Sequence, residues 1–134
     1  MANLVEVEGI GEAYAKKLAA AGIKTTDALL AKGTTPEGRK EIAVKTGISA
    51  KMILEWVNHV DLFRIKGVGQ EYADLLEAAG VDTVPELAQR KPENLVEKMA
   101  EVNKKKKLVR QLPVETQVAN WIAQAKELPR KIKY

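Results

Sequence analysis

Residues 9–18 read GIGEAYAKKL, and residues 67–76 read GVGQEYADLL. Each stretch opens Gly-apolar-Gly ahead of a run of helix-forming residues. That placement suits an anion. Glycine permits positive φ and lets another backbone approach closely, while the first amides of the following helix point outward at the positive end of its dipole. The groups in position to hold phosphate are Gly9, Ile10 and Gly11, and again Gly67, Val68 and Gly69. Contacts through backbone amides carry no base information, so a polyanion such as a nucleic-acid backbone held in this way would be bound without sequence preference.

Charge supports the first stretch through Lys16 and Lys17 and the second through Lys66. Acidic neighbours oppose it: Glu8 and Glu12 at the first turn, Glu71 and Asp74 at the second. The net charge of +4 is unevenly spread. Residues 1–97 carry 12 basic and 15 acidic side chains, whereas residues 98–134 carry 10 and 3. The densest run is Lys104, Lys105, Lys106 and Lys107, followed by Arg110, and it reads as a basic loop. Such a run engages about three to five phosphates, each adding about −0.9 to the salt slope on duplex DNA. Arg130, Lys131 and Lys133 extend the charge. The competing reading is a solvated lysine face beside turns that serve only to pack helices.

Enzyme classes drop out on composition. There is no cysteine, and no carboxylate cluster has metal-ligand spacing, so neither a metal site nor a catalytic role is expected. No phosphate-binding G-x-x-x-x-G-K-[ST] loop is present, and GIGEAYA lacks the preceding strand and third glycine of a dinucleotide fingerprint. His59, the single histidine, sits beside Asp61 near a helix end and reads as solvated or capping. Trp56 and Trp121 fall within apolar stripes and read as core. No apolar run approaches the roughly 20 residues that span a bilayer, and the opening MANLVEVEGI lacks the pattern of a secretory signal. A soluble, cytoplasmic protein with no membrane partner is expected.

The elements that position these residues are helices. Glu12 to Ala21 forms one, stopped by Gly22; a short one follows Thr25 or Thr26; Thr35 and Pro36 open a third that ends at Gly47; Ser49 caps a fourth. β-Branched alternation is missing, so the fold class is all-α. At an offset of 58, ten positions are identical, from Gly9 and Gly67 through Leu29 and Leu87. Farther on the offset grows to 65, where Trp56 meets Trp121. Two similar units of short helices are therefore expected, residues 1–63 and 64–134, the second with a basic insertion. Domains this small are marginal alone, so the pair is expected to pack as one compact body.

The pattern apolar-x-Gly-apolar-Gly-x-x-x-Ala-x-x-Leu, ending in glycine, resembles a helix-hairpin-helix motif. Weaker versions follow at Gly47, Ile48 and Ser49 and at Leu112, Pro113 and Val114, so each unit resembles a degenerate, SAM-like hairpin pair of the kind found in DNA-repair proteins. Nearly the whole chain, including RKEIAVKTGIS and NWIAQAKELP, resembles the bacterial family known as domain of unknown function 4332. That family implies a fold and no activity. The broader hairpin class implies sequence-independent nucleic-acid binding, DNA foremost, and no cofactor beyond a monovalent cation on the turn carbonyls. The alternative partner is a protein docked on the same helical units.

Overall fold

A computed structural model describes residues 3–7 and 9–134. Among them the chain is all-helical, and the only β pairing is an isolated bridge between Asn3 and Thr25. It divides into two compact units, one of Met1–Asp61 with Lys131–Tyr134, the other of Leu62–Arg130.

The first unit starts with a 3₁₀ turn, Leu4–Glu6, then α1 (Glu12–Ala20), α2 (Thr26–Lys32), α3 (Pro36–Thr46) and α4 (Ala50–Leu62), whose last residue enters the second unit. Hydroxyls start three of these helices. Thr25 Oγ1 accepts from Ala28 N at 3.1 Å, Thr35 Oγ1 from Gly38 N at 3.0 Å, and Ser49 Oγ from Met52 N at 3.2 Å. Each cap satisfies an amide that the helix itself leaves without a partner. Gly47 ends α3 in the left-handed conformation, φ 76°. α1 packs on α3 and on the 3₁₀ turn, and Leu18, Leu29, Ile53 and Val57 are wholly buried.

The second unit holds α5 (Gln70–Ala78), α6 (Val84–Ala88), α7 (Pro92–Lys106) and α8 (Glu115–Glu127). α8 lies against α6 and α7, and α7 against α5. Its core runs from Leu62 and Ile65 through Leu76, Leu87 and Met99 to Trp121 and Ala125. α7 is 15 residues long where α3 has 11, and the connection after it, residues 107–114, is longer than residues 47–49. The extra residues of the second unit thus lie in one added helical turn and an extended connection.

Two expectations are corrected. Lys104, Lys105 and Lys106 are not in a loop: they form the last turn of α7, where cations complement the negative end of the dipole. Only Lys107 leaves the helix, as a left-handed cap at φ 49°. His59 is not solvated. It is 3% exposed and Asp61 is 1% exposed, because α4 is buried on nearly every side from Trp56 onward and its register carries both polar residues inward.

Candidate nucleic-acid interface

Val7 and Ile10 are both buried and anchor the first turn, with Ile10 N donating to Val7 O at 3.0 Å. Between them the chain reverses at Gly9, φ 92°. A Cβ there would lie 3.0 Å from the indole Nε1 of Trp56, so backbone and packing both demand glycine. Gly11 differs. It is the N-cap of α1 with φ −87° and ψ −177°, ordinary extended backbone, and its carbonyl accepts from Ala15 N at 2.9 Å. No side chain caps α1, and no atom lies within 4 Å of the place a Cβ would take.

The second turn repeats this geometry. Val68 N donates to Ile65 O at 3.1 Å, Gly67 has φ 96°, and its Cβ position is 3.0 Å from Nε1 of Trp121. Gly69 caps α5 at φ −100° and ψ −165°, again with open space above it and no capping side chain. Each turn is backed by an aromatic pair. Tyr14 and Trp56 have ring centroids 5.3 Å apart at 58°, Tyr72 and Trp121 5.2 Å apart at 52°. Both tryptophans are buried, as their apolar stripes imply.

The remaining residues read from the sequence fall as follows. Ile10 and Val68 turn their side chains into the core, leaving only backbone to face a ligand. Lys16 and Lys17 are exposed on the first unit, with Lys17 Nζ 5.7 Å from the Tyr14 ring centroid, a cation–π distance. Glu12 is exposed at the first position of α1, while Glu8 lies outside the described residues. Lys66, Lys104, Lys105, Lys106, Lys107 and Arg110 are exposed on the second unit.

Residues to which the sequence assigns no binding role organise this second set. Gln124 clasps the Lys66 backbone, accepting from its N–H at 2.9 Å and donating to its carbonyl at 3.1 Å. Asn103 holds Val109 in the same two-way manner, at 3.0 and 3.2 Å, which steadies the connection beyond Lys107. Tyr72 Oη donates to Gln111 O at 3.2 Å, joining the connection that carries Arg110 to the first turn of α5. Lone amides and a tyrosine give no motif; the recurrence of Tyr14 at Tyr72 was the one signal available.

Among the described residues no group of three or more His, Asp or Glu side chains stands where it would hold a metal ion, and no helix is long and apolar enough to cross a membrane. Neither a curated protein nor a solved structure matches the chain. The model of the family described as "Domain of unknown function (DUF4332)" matches residues 8–128, nearly all of the sequence whose turns and helices are set out above, and the chain belongs to that family.

Proposed function

We propose that the chain binds the phosphate backbone of nucleic acid, DNA foremost, without reading its sequence and without catalysis of its own. One observation carries this reading: Gly11 and Gly69 are glycines that the fold does not require. Their φ values suit any residue, nothing crowds them, and a serine would cap the helix better than glycine does. In the first unit α2, α3 and α4 have hydroxyl caps, and α1 alone lacks one. A bare cap leaves first-turn amides open to an outside acceptor. This fits the resemblance to helix-hairpin-helix turns. Lys16, Lys17, Lys66, Lys104, Lys105, Lys106, Lys107 and Arg110 would add charge, and a monovalent cation on the turn carbonyls fits the same resemblance.

The test is fluorescence polarisation with labelled random-sequence duplex and single strand at low and moderate salt. A loss of about 10³-fold or more between about 50 and 200 mM salt corresponds to roughly six phosphate contacts. Gly11→Ser and Gly69→Ser then separate the turns. Absence of binding at the lower salt would overturn the proposal.

A protein-docking role is the second reading, and one feature of the first unit favours it. Leu4, Val5, Ala15 and Ala19 line a shallow apolar groove rimmed by Glu12, Lys16 and Lys24, and Val5 is 47% exposed. That surface would be the place to look should nucleic acid fail to bind.

A further inference from the structure

Trp56 and Trp121 are core residues whose nitrogens make no bond in the core. The two side chains are 3% and 2% exposed. A tryptophan buried to this degree ordinarily finds an acceptor for its N–H. Among the described residues neither indole N–H has one. Packing alone would be met by an all-carbon ring.

The contacts show where each donor is presented. Nε1 is the atom of Trp56 nearest the Cβ position of Gly9, at 3.0 Å, with Cδ1 next at 3.9 Å; for Trp121 over Gly67 the distances are 3.0 and 3.8 Å. The N–H edge of the indole, rather than its face, therefore abuts each turn. The nitrogen itself is not sealed in, so that edge opens at the turn while the rest of the ring stays buried. Two residues on, Gly11 and Gly69 start helices of nine residues with no side chain on their first amides. A rigid side-chain donor and unused backbone donors thus converge on the same three residues. The duplication acts as an internal check. Glu55 and Val57 flank one tryptophan, Asn120 and Ile122 the other, yet the contact with the turn is the same.

A phosphodiester suits such a set, because it offers charged oxygens that accept hydrogen bonds and has no proton of its own to place. We infer that the indole N–H of Trp56, and likewise that of Trp121, donates a hydrogen bond to a phosphate oxygen held at its own glycine turn. This rests on the phosphate-binding reading above and adds to it one buried side chain per site. The ring is already fixed, packed on Tyr14 at 5.3 Å or Tyr72 at 5.2 Å, so it loses little freedom when the ligand arrives.

The chain has two tryptophans, so a ¹⁵N-labelled sample gives two indole N–H signals, which Trp56→Phe and Trp121→Phe assign. The probes are a random-sequence DNA duplex and, separately, inorganic phosphate. Expected with the duplex is a downfield shift of both indole protons and slower exchange with water. The same shifts with inorganic phosphate at lower concentration than with duplex would make free phosphate the source of the bound oxygen; shifts with duplex alone would make it the nucleic-acid backbone. Each phenylalanine variant keeps an aromatic ring by the turn and removes the donor, and is expected to weaken duplex binding by about tenfold or more. The wild-type signals decide the matter even if a variant fails to fold. Duplex binding that leaves both indole signals in place overturns this inference and leaves the proposed function standing. Absence of binding to either probe overturns both.

Discussion

The indole Nε1 of Trp56 stands over Gly9, 3.0 Å from where a Cβ would lie, on a residue whose φ is 92°. Trp121 stands over Gly67 at the same distance. In each unit the tryptophan of a late helix therefore shapes the first turn, and the turn in turn sets where the amides of α1 or α5 point.

The two glycines of each turn should then respond oppositely to substitution. Gly9→Ala and Gly67→Ala place an L residue at positive φ against an indole, and each is expected to lower stability by roughly 1–2 kcal/mol or more. Gly11→Ser and Gly69→Ser meet neither obstacle and supply a cap, for a gain of a few tenths of a kcal/mol. Urea midpoints measure both. If the proposed function holds, the serine variants lose nucleic-acid affinity while gaining stability, a combination that damage to the fold cannot produce.

Removing the indoles should be costlier. Trp56→Ala and Trp121→Ala each open a cavity beneath a turn and beside a tyrosine ring, and each is expected to cost about 3–5 kcal/mol. Thermal melts followed by circular dichroism give the size, and near-ultraviolet bands report the loss of the Tyr14–Trp56 or Tyr72–Trp121 pair.

At the end of α7, Lys107 holds φ 49° and ψ 49°, and its N–H donates to Asn103 O at 2.8 Å. Lys107→Gly is expected to raise stability by about 0.5–1 kcal/mol, the left-handed penalty less the entropy glycine gives up on folding. Changing Lys104, Lys105 and Lys106 to alanine should act the other way, each by about 0.3–1 kcal/mol at low salt and less at high salt, since they complement the helix dipole. Denaturant titrations at two ionic strengths separate these effects.

Glu41 accepts a 2.9 Å hydrogen bond from Lys45 one turn along α3, and that bond, with the lysine charge, holds its carboxyl below the usual glutamate range. The unfolded chain therefore binds this proton more readily. The stabilisation is present above the unfolded value and is lost as pH falls through the folded one. Both side chains are exposed, so the effect on stability is small. An NMR titration should find Glu41 depressed, and Lys45→Gln should move it back toward the usual glutamate range, with the charge of Lys32 still acting on it.

Much of this architecture is local and so was open to reading. Thr25, Thr35, Ser49, Pro36 and Gly47 act within one helical turn of themselves, and each starts or ends a helix as residue type alone dictates. Where the expectation failed, a longer-range effect prevailed. Four consecutive lysines look like a loop until a helix brings its dipole to them. His59 looks solvated until the whole end of α4 is enclosed.

By itself the sequence determined the all-helical class, the pair of glycine turns and the burial of Trp56 and Trp121, because capping chemistry and helical periodicity are written in neighbouring residues. Only the tertiary structure decided which glycine of each turn is required for packing. It alone tied Tyr72 to Gln111 and brought Lys133, 94 positions away, to Arg39. Such contacts depend on how helices pack, and neither partner carries a mark of the other in its own stretch of chain.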